Sequence, residues 1–327
     1  MPKRSLFLVL IFAVLPALAE KTYAGQLPGA ACDLPFVASR FDKESRIEVL
    51  TGNLSPDNFQ VRVGDSSVKV SHMSIDSSAK RIALVLDARS KVDAEEWGLE
   101  TDLAISLASH GRNGDQFVLF LANARAPEEG FQSPTSMVEL LEKLKKSRPI
   151  ISGKDDMTEV LLAAARKLDP PWFGDTLFLF GRVENSGSAT EFDELRTLLL
   201  ENRIRFYGVS FTDPLKGSVP PGWNPNMPLP STFRRPELDQ LSSETGYPIS
   251  YHQPEVFRQF KEQLPLLKNY LGLLYEEIAE PYRLSFEVPE NSSPAKLEIN
   301  LVGSAAEDIR ENSVHYQRTV LPCAARQ

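Results

Sequence analysis

Four short runs, residues 82–86, 117–122, 176–180 and 206–211, are apolar along almost their whole length and show no polar–apolar alternation. A strand of that kind needs cover on both faces, which a parallel sheet between two layers of helices supplies. The intervening segments carry helical periodicity. Leu99, Leu103 and Leu107 follow the acidic pair Glu95-Glu96, which suits a helix start. Met137, Leu141 and Leu144 repeat the spacing, and residues 156–168 are rich in Leu and Ala. Thr190-Glu191-Phe192-Asp193 reads as a capped helix start ahead of Leu195, Leu198 and Leu199. Pro236 opens a short helix through Leu238 and Leu241, and residues 247–251 read as one more strand. The alternation predicts an α/β unit with a doubly wound, mostly parallel sheet.

The two ends have a different texture. Residues 46–50, 59–63 and 68–71 alternate apolar and polar positions, with turns at 53–57 and at Gly64-Asp65. A long amphipathic helix is expected over 255–279, with Phe257, Phe260, Leu264, Leu267, Leu271, Leu274 and Ile278 on one face, a kink at Pro265 and a stop at Pro281. Alternation then returns at 283–288, 296–301 and 314–320. The N- and C-terminal segments are therefore expected to build one small β-sandwich. The boundaries so read are a signal peptide over 1–19, a β segment over 20–79, the α/β domain over 80–279 and a closing β segment over 280–327.

Lys3 and Arg4, an apolar run over 6–15 and Ala17-Leu18-Ala19 have the pattern of a cleaved secretory signal. The run is short of the roughly 20 residues that a membrane span needs. The expected protein is exported, periplasmic or secreted, with no stable membrane span after cleavage; an uncleaved anchor is the alternative. The chain's two cysteines, Cys32 and Cys323, lie near the two ends of the mature chain. An oxidising compartment permits a bridge between them, and two unpaired thiols are the other reading. Four scattered histidines show no zinc-type spacing. With 44 acidic against 36 basic residues and no basic patch, a nucleic-acid partner is not expected.

Function must then come from the crevice beyond the carboxyl ends of the strands, where open α/β sheets bind ligands. Asp87 directly follows the first apolar run, with Arg89 and Lys91 at the next alternate positions. Residues 153–158 read Gly-Lys-Asp-Asp-Met-Thr, and residues 180–186 read Phe-Gly-Arg-Val-Glu-Asn-Ser. Leu54-Ser55-Pro56-Asp57-Asn58-Phe59 precedes the α/β segment, and Pro281-Tyr282-Arg283-Leu284-Ser285-Phe286 follows it.

In that order of elements and those short motifs, the chain resembles exported bacterial proteins related to the von Willebrand factor type A domain. The resemblance implies a metal-ion-dependent adhesion site built from Asp-x-Ser-x-Ser, a Thr opening a later helix, and an Asp in a third loop. Asp87 and Thr158 match, with Asp156 beside the latter. Arg89 and Lys91 stand in the two serine places, Gly181 in the third-loop Asp place, and Arg182 follows it. Clustered cations disfavour a divalent ion, so the metal site is expected to be lost and replaced by Arg/Lys charge pairing with Asp87, and no cofactor is expected, with Mg²⁺ or Ca²⁺ as the alternative at Asp87, Asp156 and Thr158.

The expected function is a non-catalytic, adhesion-type module that binds another protein through a rim of Asp87, Arg89, Lys91, Asp156, Thr158, Arg182 and Trp223. Trp223 lies in the proline-rich stretch 213–235, a candidate recognition loop. A purely structural envelope or secretion component is the second reading. A cation-dependent adhesin and a hydrolase using Asp87 follow it. Catalysis is disfavoured because Arg89 fills the place of a second acid, and no Gly-x-Ser-x-Gly elbow or phosphate loop is present.

Overall fold

The computed structural model describes residues 31–42, 47–50, 54–89, 92, 94–122, 130–147, 157–181, 188–211, 236–247, 249–251, 257–288, 294–303, 309 and 314–321. The signal segment 1–19, the stretch 213–235 and Cys323 lie outside them.

The chain runs β1 (Ala31–Asp42), β2 (Ile47–Leu50), a short 3-10 turn at Pro56–Asn58, β3 (Phe59–Val63), β4 (Ser66–Val68), β5 (Val70–Ile75) and β6 (Arg81–Leu86). There follow α1 (Ala94–Ser109), β7 (Gln116–Leu121), α2 (Pro134–Ser147), α3 (Met157–Lys167), β8 (Thr176–Gly181), α4 (Ala189–Asn202) and β9 (Arg205–Ser210). The last elements are α5 (Pro236–Thr245), β10 (Ile249–Tyr251), α6 (Phe257–Ala279), β11 (Tyr282–Glu287), β12 (Ala295–Leu301), β13 (Val314–Tyr316) and β14 (Thr319–Val320).

Strands β6 to β10 form a parallel sheet in the order β10-β9-β8-β6-β7. Alternation along β6 shows why its sequence is continuously apolar. Ile82, Leu84 and Leu86 enter a core shared with α1, α2 and α6, whereas Ala83 and Val85 enter a second core under α3, α4 and α5. Both faces are buried, as the uninterrupted runs predicted. The chain starts in the middle of the sheet, goes to one side for β7, then crosses to the other for β8. The winding reverses at the carboxyl ends of β6 and β8, which is where ligands bind in such sheets.

The remaining strands form two antiparallel sheets, β13-β1-β11-β5 and β14-β12-β3-β4. Leu34 and Phe36 of β1, Leu284 and Phe286 of β11, Val61 of β3 and Leu297 and Ile299 of β12 share one apolar cluster. The two chain ends thus form a β-sandwich with the α/β unit inserted between them. Four details differ from the sequence reading. β1 was not anticipated, because Pro35 and the short polar breaks around it blur its period. Residues 68–71 break at Lys69 into β4 and β5, which belong to different sheets. Residues 314–320 break in the same way at Gln317-Arg318. The helix start also moves: the cap of α4 is Ser188, whose Oγ accepts from the Glu191 amide while the Glu191 carboxylate accepts from the Ser188 amide.

Polar contacts fix the insertion at its base. The Asp76 amide donates to Pro281 O at 2.9 Å, tying together the two crossings between sandwich and α/β unit. Arg112 donates to Ser78 O and Ala279 O on those same crossings. The fully buried Lys80 ammonium donates to Asp76 Oδ2 at 2.7 Å. Burial works against ionisation of Asp76, yet that bond to Lys80 still holds its carboxyl below the usual range. The sandwich also touches the far edge of the α/β unit. Tyr247 Oη donates to Pro35 O at 3.1 Å, the Arg318 amide to Glu244 O at 2.7 Å, and Gln317 Nε2 to Leu200 O at 3.2 Å.

Candidate functional site at the sheet switch point

β6 delivers Asp87 into the crevice, where its amide donates to Phe180 O of β8 at 3.2 Å. Arg89 turns back on it. Its Nε donates to Asp87 Oδ1 at 2.7 Å and its Nη2 to Oδ2 at 2.5 Å, and the Arg89 amide reaches Oδ1 at 3.2 Å. This is a two-pronged guanidinium–carboxylate contact, the strong geometry for such a pair. Asp87 is 0% exposed and Arg89 3%. The two residues meet at the crevice, each buried and turned toward the other.

Behind Asp87 stands Glu100 of α1, which the sequence reading missed. It is fully buried, and its Oε2 accepts from the Asp87 amide at 3.1 Å. Its Oε1 has no hydrogen-bond partner. Leaving such an atom buried and unpaired costs about 1–3 kcal/mol. Burial pushes the Glu100 carboxyl well above the usual carboxylate range, and the charges of Asp87 and then Glu96 push it further. Burial and those neighbouring charges therefore favour the neutral form of Glu100. A signal for Glu100 existed: with Glu96, Leu103 and Leu107 it falls on the buried stripe of α1, where a glutamate needs a reason.

Gly181 closes the third side. Its φ is +137°, and a Cβ built on it would lie 2.4 Å from Asp87 Cβ and 3.3 Å from Glu100 Oε1. The position therefore cannot carry an aspartate with this backbone. Thr158, in the first turn of α3, is buried, but no hydrogen bond or ion pair among the described residues joins it to Asp87 or Arg89. Lys91, Asp156, Arg182 and Trp223 lie outside the described residues. No group of three potential metal-binding side chains occurs among the described residues. The described residues do not fit a divalent ion: both Asp87 oxygens accept from Arg89, and the Gly181 position has no room for an acid.

The inserted unit is a parallel sheet begun at an inner strand, with helices on both faces and an acid after the first strand. Its fold is similar to that of von Willebrand factor type A domains. Among solved structures with a similar fold is an aerotolerance-related membrane protein from Bacteroides fragilis, at 14% identity and a TM-score of 0.39, covering 59% of this chain and 100% of the other. BatB, a conserved hypothetical protein from Bacteroides thetaiotaomicron, gives 13% identity and a TM-score of 0.40, covering 58% and 100%. A von Willebrand factor type A structure from Catenulispora acidiphila gives 9% identity and a TM-score of 0.44, covering 92% and 76%. At these values the likeness is one of fold alone. No family model and no curated protein matches the chain. Among the described residues no helix is long and apolar enough to cross a membrane.

Proposed function

We propose that the chain is an exported, non-catalytic module that binds another protein, and that its crevice uses Arg89 where related sites use a metal ion. The observation that supports this is the buried Arg89–Asp87 contact, with both carboxylate oxygens engaged at 2.5 and 2.7 Å. An Asp87 held in that way has no oxygen free for nucleophilic attack and none for a cation. Partner contact is then assigned to Lys91, Asp156, Arg182 and Trp223, which lie outside the described residues, and does not require a divalent ion.

Export is supported by the sequence of residues 1–19 and by the placement of Cys32. That residue is fully buried in β1, in the same apolar cluster as Val320 of β14, three positions before Cys323. We propose that the two cysteines are bridged, closing the sandwich where the chain enters and leaves it.

The test is calorimetric titration of the purified protein with MgCl₂ and CaCl₂, alongside capture of partners from the exported fraction with and without chelator. No binding heat and chelator-insensitive capture are the expected results. Micromolar cation binding that Asp87→Ala abolishes would overturn the proposal.

A further inference from the structure

Glu100 is the part of the crevice that the domain likeness does not account for. It comes from α1, is fully buried, and holds the Asp87 amide through Oε2. Its other oxygen has no partner and stands 3.3 Å from the point where a Gly181 Cβ would lie. The third-loop position is barred to side chains, and the adjacent volume is occupied by this carboxyl instead. Asp87 and Glu100 therefore share one pocket, with the Arg89 guanidinium on the Asp87 side.

We propose that Glu100 is the second acid of a two-carboxylate cation seat, relocated from the third loop to α1, and that Arg89 fills this seat as an internal cation. The proposal rests on the metal-free reading above and extends it with a residue and an occupant. Taking the Arg89 guanidinium away strips Asp87 of its two-pronged partner next to the Glu100 carboxyl, one of whose oxygens makes no hydrogen bond. Hard divalent ions take oxygen ligands of this type, and affinity rises with the number of carboxylates. Asp87 alone, with Glu100 made an amide, offers only one of the two carboxyl groups.

The experiment titrates Mn²⁺ into the full-length mature protein, its Arg89→Ser variant and the Arg89→Ser, Glu100→Gln double variant, reading free Mn²⁺ by electron paramagnetic resonance. The unaltered protein is expected to bind none. Arg89→Ser should bind Mn²⁺, and adding Glu100→Gln should weaken that binding by about tenfold or more, as loss of one charged ligand does. Binding by the unaltered protein would overturn the metal-free reading of the crevice. Arg89→Ser that binds no Mn²⁺, or binds it equally well with Glu100→Gln, would overturn the seat itself. Should Arg89→Ser fail to fold, Arg89→Gln replaces it: glutamine keeps most of the side-chain volume and hydrogen-bonding capacity but removes the charge. A Mn²⁺-dependent rise in melting temperature that Arg89→Gln, Glu100→Gln lacks supports the seat; no difference between the two rejects it.

Discussion

Gly181 and Asp87 approach so closely that no side chain fits between them: a Cβ on Gly181 would stand 2.4 Å from that of Asp87. The contact joins the ends of β8 and β6 at the point where the sheet reverses its winding. It explains why the third loop lacks its acid in steric terms. Once the backbone adopts φ +137° there, only glycine is tolerated.

Gly181→Ala is therefore expected to destabilise the protein by about 2–5 kcal/mol, combining positive-φ strain with overpacking. Gly181→Asp should cost more and should not restore cation binding. Urea denaturation of both variants checks the order. An aspartate tolerated within 0.5 kcal/mol, a typical bound for neutral surface changes, would show that the loop relaxes freely.

The Arg89–Asp87 pair makes a second prediction. Removing one partner leaves a buried charge uncompensated, a loss of about 3–5 kcal/mol for Arg89→Ala or Asp87→Ala alone. Removing both is expected to cost less than the sum of the single losses. A double-mutant cycle in guanidinium chloride measures the difference. Additive losses would mean that the pair is not coupled.

Glu100 carries the pH prediction, and its sign is set by the upward shift. Its folded-state pKa lies above the unfolded value near 4.5, so the unfolded chain loses this proton first as pH rises. The folded state is then penalised progressively from about that pH up to the folded pKa, with the full stability retained below it. Glu100→Gln keeps the acceptor for the Asp87 amide and removes the titration. Its stability relative to the unaltered protein should rise from pH 4 toward pH 8. The difference between the two, measured by thermal melts across that range, should be flat if Glu100 ionises normally. Subtraction matters, because carboxylates with lowered values, such as Asp76, slope the other way in acid.

How much of this was legible in the sequence follows from the range of the forces involved. The parallel sheet was, because continuous apolar runs such as 117–121 are forced by burial on both faces. The pairing of Arg89 with Asp87 was also anticipated, since two residues of separation at a strand end bring their side chains within reach. The burial of Glu100 was legible in the α1 stripe, but its place beside Asp87 was not, because that depends on how α1 docks against β8, a long-range contact that periodicity does not encode. The splits at Lys69 and at Gln317-Arg318 were missed for the same reason. A strand changes sheets there because of where the other sheet lies, not because of its own pattern. The fold of β1 around Pro35 shows the converse: pairing with β11 on one side and β13 on the other overrides an unpromising local sequence.

Gly246 tests whether the sandwich and the α/β unit act as one body. It follows α5 with φ +74°, and a Cβ there would lie 1.5 Å from the Tyr316 carbonyl oxygen of β13. The surrounding contacts, Arg318 to Glu244 O and Tyr247 to Pro35 O, depend on that close approach. Gly246→Ala cannot be absorbed by a rotamer change, because the obstructing atom is backbone. It should displace the β13–β14 segment from α5 and lower stability by about 3 kcal/mol or more, the scale of severe steric and positive-φ substitutions. Limited proteolysis should then cut near residues 317–318 in the variant and not in the unaltered protein. Gly272→Ala makes a control: the atoms it meets belong to the His110 ring, Nε2 at 2.9 Å, a side chain that can move. Equal protease resistance in Gly246→Ala and the unaltered protein would mean that the two parts are not seated on each other through this contact.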